Sequence, residues 1–456
     1  MNCDLLILGS GPGGFRAALD AAHAGLSAIL VEKGPLGGTC LNWGCIPTKL
    51  FLGATHPIAE LQAQKRMRIA TGQITIDLAA LQRRKKTIVQ SSHKAMRTRL
   101  QKSGVHILSG TGTLTAPDTL RVYGESASET IRFQGMILAA GTVPSMIPGL
   151  PVDGKIICTS DHLLDCQEIP ERLAVIGAGA IGIELAQFWA RMGSQITMVE
   201  MAPRVAPTED PEISKILASA FKRQGWKLHP GTKVEKVHLE QDSATLTLSS
   251  GKEVVADKIL VAAGRRPETA ELGLEEAGIE TSGPGWISTD PYLRATDQIY
   301  AVGDVNGRFL LAHAAEDQAA FAIKHFLGKI KNPYPDPPPP SCIYGTPEVF
   351  RAGKTEKDFS ESRSEAAIST YHLVGNPICH AHAVTQGLIK VLWNKGRVAG
   401  ITGVGHGVSS LVTMAEIIVK QKWDKTKVLE YVFAHPSLDE ALKEALLAPA
   451  ERLDHD

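Results

Sequence analysis

Neither sign of charge predominates in this chain: 48 lysines and arginines balance 48 aspartates and glutamates. Such a balance sets up no broad field for nucleic acid or an anionic membrane surface, and neither is expected as a partner. No apolar run is long enough to span a bilayer. The start, Met1-Asn2-Cys3-Asp4-Leu5, lacks a basic region ahead of an apolar one, so no signal peptide is expected. Seven cysteines in 456 residues do not make a disulfide scaffold. Five of them, Cys3, Cys158, Cys166, Cys342 and Cys379, are scattered and read as core or surface thiols. What remains is an ordinary globular composition, 43% hydrophobic and 21% charged, with room for about three domains at ~150 residues each. A reducing cytoplasm fits, where a lone disulfide is catalytic rather than structural.

The other two cysteines sit in Gly37-Gly38-Thr39-Cys40-Leu41-Asn42-Trp43-Gly44-Cys45-Ile46-Pro47-Thr48-Lys49. Their C-x4-C spacing has no second pair elsewhere, which argues against a structural zinc site. Taken alone, Cys40 and Cys45 also read as two unrelated buried thiols. On a helix beginning near Thr39 they are not ideal neighbours, but Gly44 lets the backbone deform so that the sulfurs meet. A thiolate at a helix start is favoured by the positive end of the dipole. With the glycines and the context below, the pair reads as a redox-active disulfide.

That context is a repeated nucleotide-binding pattern. Asp4–Leu8 reads as a strand, Gly9-Ser10-Gly11-Pro12-Gly13-Gly14 as a turn, Phe15–Ala24 as a helix, and Ala28–Val31 as a strand ending in Glu32. In this β-α-β order the glycines admit a pyrophosphate to a helix N-terminus and the acid accepts from a ribose hydroxyl. The same order returns in strand Leu173–Ile176, turn Gly177-Ala178-Gly179-Ala180-Ile181-Gly182, and strand Gln195–Val199 ending in Glu200. In both copies the last glycine precedes the acid by 18 positions. Met136-Ile137-Leu138-Ala139-Ala140-Gly141 is echoed by Ile259-Leu260-Val261-Ala262-Ala263-Gly264. Two dinucleotide domains, the second inserted into the first, account for this order.

Between the landmarks, 50–104 reads as long helices, with Arg83-Arg84-Lys85-Lys86 as a solvated face. Residues 105–133 and 233–257 read as small β excursions, and Tyr300–Val305 as a buried strand that ends in an acid, Asp304. The proline-rich 333–340 marks a stiff boundary. Beyond it, strands Gly387–Trp393 and Val398–Val404 mix with helices Ser409–Gln421 and Asp424–Tyr431, without a glycine fingerprint, as in an assembly domain. In His435-Pro436-Ser437-Leu438-Asp439-Glu440, Pro436 fits a first helical turn with Ser437 as a cap. Glu440 is placed to fold back onto His435 and raise its basicity. In isolation His435 also reads as a surface histidine beside a cap. Cys379-His380-Ala381-His382 reads either as a metal-binding strand or as plain sequence drift, and no metal site is expected.

Together these motifs, G-G-T-C-L-N-x-G-C-I-P-x-K between two glycine fingerprints, A-x-G-D, and a closing H-P-x-L-x-E, resemble the class I pyridine nucleotide–disulfide oxidoreductases over essentially the whole chain. The resemblance implies an α/β fold. A Rossmann-like FAD domain (1–145 and 265–335) would carry an inserted Rossmann-like NAD domain (146–264), followed by an α+β dimerisation domain (341–456). Catalysis would rest on Cys40 as interchange thiol, Cys45 facing the flavin, Lys49 near the flavin and paired with Glu184, and His435 as acid–base group supported by Glu440. In such a homodimer the histidine serves the other subunit's disulfide. Cofactor-binding positions implied around the first fingerprint are Gly9, Gly11, Gly14, Glu32, Gly38, Thr39, Lys49, Gly112, Gly141, Asp304, Ala312 and His313. The rest are Gly177, Gly179, Ile181, Gly182, Glu200, Val234 and Gly264.

Leu438, and Glu200 as an acid that repels a 2′-phosphate, point to the lipoamide branch: oxidation of protein-bound dihydrolipoamide with reduction of NAD+. Its partner would be a lipoyl-carrying protein of a 2-oxoacid dehydrogenase or glycine-cleavage type complex. No lipoyl segment precedes Met1, so the lipoyl group is expected from that partner. The alternatives are a reductase acting on another small disulfide or mercuric ion, and a non-catalytic FAD/NAD-binding subunit or sensor. The end Glu451-Arg452-Leu453-Asp454-His455-Asp456 lacks the cysteine pair of mercuric reductases, and the full set of cysteines, His435 and Glu440 argues against a scaffold. Trp43, 342–349, 350–353 and 379–382 depart from the family pattern.

Overall fold

In the computed structural model, residues 1–125, 127–335, 338–362 and 366–453 are described. Part of the proline-rich 333–340 and the terminal Asp454-His455-Asp456 thus lie outside the described residues. The chain divides into two compact units, 1–48 with 82–145 and 264–336, and 49–81 with 146–263 and 337–456.

The first unit is organised by a seven-stranded sheet. Its parallel part runs His106–Ser109, Ala28–Glu32, Asn2–Leu8, Ser128–Leu138, Ile299–Ala301. Strand Asn2–Leu8 feeds helix Pro12–His23 through the first glycine turn. Leu5 and Ile7 pack on the helix side with Ala17, Ala18 and Ala21, while Leu6 and Leu8 pack on the other face with Leu114, Leu120 and Val122. That two-sided burial is why the strand reads as a continuous apolar run. The long strand Ser128–Leu138 serves twice: its first half pairs antiparallel in the excursion Thr111–Ala116, Thr119–Tyr123, and its second half joins the parallel sheet.

The second unit repeats the plan. Its five-stranded parallel sheet is ordered Lys227–His229, Gln195–Val199, Arg172–Ile176, Lys258–Val261, Ile157–Cys158, with helix Ala180–Met192 after the second glycine turn. An antiparallel sheet of Val234–Leu239, Ala244–Leu248 and Glu253–Ala256 is the second excursion. The C-terminal part is a six-stranded antiparallel sheet, packed by helices Val412–Lys420 and Asp439–Leu447.

Several expectations change. The cysteine stretch is two helices, Gly38–Asn42 and Cys45–Arg66, broken at Trp43-Gly44, so each cysteine has its own helix. Lys85 is buried, unlike its three basic neighbours. Asp304 lies in a 3-10 turn, Gly303–Asn306, just beyond strand Ile299–Ala301. The helix expected over Asp424–Tyr431 is a single turn, Lys425–Val428, capped by the Asp424 carboxylate. Cys379-His380-Ala381 is on a short helix, Pro377–Ala381, not a strand: Asn376 caps it by accepting from the Cys379 N–H. The last helix begins at Asp439, so Pro436 and Ser437 precede it; the Ser437 N–H and hydroxyl are already held by Glu440 and Ala434.

Candidate active site

The two glycine turns are superimposable in their logic. A Cβ on Gly9 would lie 2.4 Å from the Ala139 carbonyl, and one on Gly177 would lie 2.3 Å from that of Ala262. On Gly14 it would lie 1.9 Å from the Gly9 carbonyl, and on Gly182 2.1 Å from that of Gly177. The Ala-Ala-Gly echo in the sequence is therefore the neighbouring strand end that each turn presses against. Gly11 and Gly179 differ: a Cβ there meets nothing within 4 Å, and neither helix start has a side-chain cap. Uncapped N–H groups facing open space at a helix N-terminus make an anion cradle, and the two fit dinucleotide pyrophosphates.

The acids at the strand ends are fixed alike. Glu32 accepts from the Ser10 N–H at 2.8 Å and the Gly34 N–H at 2.8 Å. Glu200 accepts from the Ala178 and Ala202 N–H groups, each at 2.7 Å. Arg204, the one cation near Glu200 in the sequence, donates to the Pro207 and Glu209 carbonyls, so its guanidinium is engaged within its own loop. Ile181 lies in the first turn of its helix against the core, and Val234 opens the antiparallel excursion. Gly112 is close-packed, since a Cβ there would meet Leu8 at 2.8 Å and Leu120 at 2.9 Å. Packing against Leu8 and Leu120 accounts for the missing side chain there.

Cys40 and Cys45 form a disulfide with Cα atoms 4.7 Å apart. Gly44 suits this turn, because a Cβ there would crowd the Thr39 carbonyl at 3.1 Å. Gly38 adopts φ +56°, with its would-be Cβ 2.9 Å from the Gly11 Cα, so the cysteine helix starts directly against the first fingerprint. Asn42 ties the turn down: its amide donates to the Leu36 and Gly38 carbonyls, and its oxygen meets His93 Nε2 at 2.8 Å.

Thr39 also belongs to a network that motif reading missed. Arg265 donates to Thr39 Oγ1, to Thr142 Oγ1 at 2.7 Å and to the Thr142 carbonyl at 2.7 Å, and Thr142 donates to Asp304 at 2.8 Å. Burial pushes the Asp304 carboxyl above its usual range, against the pull of Thr142 and Arg265. Thr142 and Arg265 directly follow Gly141 and Gly264, and that shared position was the available signal. Ala312 and His313 open helix Ala312–Phe326.

In the second unit, Lys49 Nζ pairs with buried Glu184 at 2.7 Å and lies 4.7 Å from the Tyr344 ring centre. The Tyr344 N–H donates to the other Glu184 oxygen at 3.0 Å. Burial pushes the Tyr344 hydroxyl up to about 12, with Cys342 adding to the rise, and the Cys342 thiol up to about 11. His435 Nδ1 is 3.0 Å from Glu440 Oε1, while the other carboxylate oxygen accepts from the Ser437 N–H. Those two contacts, the N–H first, hold Glu440 below the usual carboxylate range. The His435 side chain is 71% exposed.

The chain matches the family model of pyridine nucleotide-disulphide oxidoreductases over residues 3–319 and that of their dimerisation domain over 339–446. It is 34% identical to a dihydrolipoyl dehydrogenase of Chlorobaculum tepidum, over 97% of this chain and 96% of the relative. It is 33% identical to a leghemoglobin reductase of Glycine max, over 98% and 88%. The copper(II) complex of the HOCl-induced flavoprotein disulfide reductase RclA from Escherichia coli superposes with a TM-score of 0.88 at 25% identity, covering 98% of this chain and 99% of that one. FAD and NAD are the cofactors of this family, and the paired cradles fit them. With its redox disulfide, two dinucleotide folds and C-terminal dimerisation domain, this chain is a member of the pyridine nucleotide–disulfide oxidoreductase family, a flavoprotein enzyme.

Proposed function

We propose that this enzyme is a dihydrolipoyl dehydrogenase of a reducing, cytoplasmic compartment. The carrying observation is the combination of the Cys40–Cys45 disulfide with a carboxylate-supported His435. In this reading residues 1–145 and 265–335 hold FAD, 146–264 hold NAD, and 341–456 form the interface of a homodimer. The interface reading is supported by Leu429, Tyr431 and Val432, exposed just ahead of His435, since clustered surface apolar groups mark contact sites. Glu200 favours NAD, because a carboxylate at the ribose repels a 2′-phosphate.

His435, acting on the disulfide of the second copy, takes the proton of a dihydrolipoyl thiol while Glu440 stabilises the imidazolium. The thiolate attacks Cys40 Sγ; the Cys40–Cys45 bond breaks, a mixed disulfide forms, and Cys45 leaves as thiolate. The second lipoyl thiolate then attacks the substrate sulfur of that mixed disulfide. Lipoyl disulfide is released and Cys40 leaves as a thiol that carries the proton of the second lipoyl thiol, so two electrons and two protons have passed to the protein. Bound FAD and NAD+ supply the step thiols cannot perform, carriage of that electron pair as a hydride. Lys49, fixed by Glu184, would supply positive charge to the bound flavin, and Asp304 would hold its ribityl chain. The lipoyl group arrives on a partner protein.

The test is anaerobic. Dihydrolipoamide added to the yellow holoenzyme should produce a thiolate–flavin absorbance that NAD+, but not NADP+, discharges at the turnover rate. Reduction by NADH without any response to dihydrolipoamide would assign the site to another small disulfide or to mercuric ion.

A further inference from the structure

Helix Cys45–Arg66 carries His56 and Glu60 one turn apart on the same face, with Nε2 and Oε1 3.3 Å apart. His406, just past strand Arg397–Gly405, brings its ring centre to 5.5 Å from that of His56. One ligand atom from each of the three lies within 4.8 Å of the others. His382, past the short helix Pro377–Ala381, has its ring centre 6.0 Å from that of His406. This is the single such cluster of three or more among the described residues.

We propose that His56, Glu60 and His406 bind a divalent ion of the Zn2+ class, with His382 in reach of the fourth position. Donors held by one tetrahedral ion at about 2.0–2.2 Å are roughly 3.3–3.6 Å apart. The His56–Glu60 pair already has that spacing, and small side-chain rotations bring in His406. Two imidazoles and a carboxylate are a donor set that holds zinc, whereas magnesium and calcium demand oxygen. An ordinary ion pair between His56 and Glu60 leaves the third and fourth imidazoles unexplained. A bound cation, taking the lone pairs of neutral imidazoles, pins the helix to the loop after Arg397–Gly405. Such a metal site departs from the expectation of no metal drawn from the sequence. Of the motif Cys379-His380-Ala381-His382, His382 alone is drawn in: Cys379 is buried, and His380 Nε2 already contacts the Val374 carbonyl at 2.6 Å.

The experiment is calorimetric titration of Zn2+ into chelator-treated, FAD-loaded protein kept oxidised so that Cys40 and Cys45 stay paired, with Co2+ absorbance reporting ligand geometry. The expected result is one ion per chain and a tetrahedral Co2+ spectrum. Affinity should fall in His56→Ala and His406→Ala by more than the roughly 10–100-fold that losing an outer hydrogen-bond partner costs. Zn2+ should also raise the melting temperature of wild type but not of these variants. His406→Gln, which keeps the volume, guards against a misfolded His406→Ala. No Zn2+ binding by wild type, or binding unchanged in both folded variants, overturns the proposal.

Discussion

His435 shows how much one side chain can be asked to do. With Nδ1 held by Glu440 at 3.0 Å, Nε2 is the ring atom that the proposed reaction uses to exchange a proton with a substrate thiol. His435→Gln should therefore lower kcat by about 10²–10⁴, the range of general acid–base catalysis, while flavin content and NADH reduction of the bound flavin stay normal. Glu440→Gln should lower kcat less and displace the pH profile of the dihydrolipoamide half-reaction. A variant that merely unfolded the loop would lose rate without moving that profile. Steady-state rates across pH, alongside the flavin spectrum, check both.

At the scale of the element, the glycine turns separate residues needed by the backbone from residues needed by the ligand. Gly177→Ala forces a methyl to 2.3 Å from the Ala262 carbonyl at φ +105°, so it should lower the melting temperature and abolish NADH binding together. Gly179→Ala meets no atom of the protein and should leave stability within about 0.5 kcal/mol while weakening NADH binding. Thermal denaturation and NADH titration of the two variants, side by side, decide this. The same turns explain what could be read from sequence. Strand, glycines, helix and acid are local and repeat at one spacing, so fold class, both cradles and the Glu440–His435 pair were legible. What was not legible depends on chain that is distant in sequence: Arg265 reaching Thr39, His406 meeting His56, Asn42 meeting His93. The later helix start at Asp439 was missed because Ser437 spends its donors on Ala434 and Glu440.

At the scale of the whole molecule, each unit has its own cohesive device. In the second, fully buried Lys390 reaches Asp210, Glu212 and Glu356 at once, joining the C-terminal sheet to helices Pro211–Arg223 and Glu356–Ser362. Lys390→Met leaves three carboxylates facing an apolar side chain and should destabilise the protein by about 3–5 kcal/mol, read as a lowered urea midpoint. In the first unit, strand Ile299–Ala301 completes the parallel sheet by pairing with Met136-Ile137-Leu138. Roughly 160 residues separate these partners, so at about 5–20 residues per second a ribosome makes the second strand some 8–32 seconds after the first. In a nascent chain the parallel sheet of this unit stays open along that edge throughout. If flavin sits on this unit as proposed, its insertion belongs to the last third of synthesis, and chains ending before Ile299 should be unable to retain it.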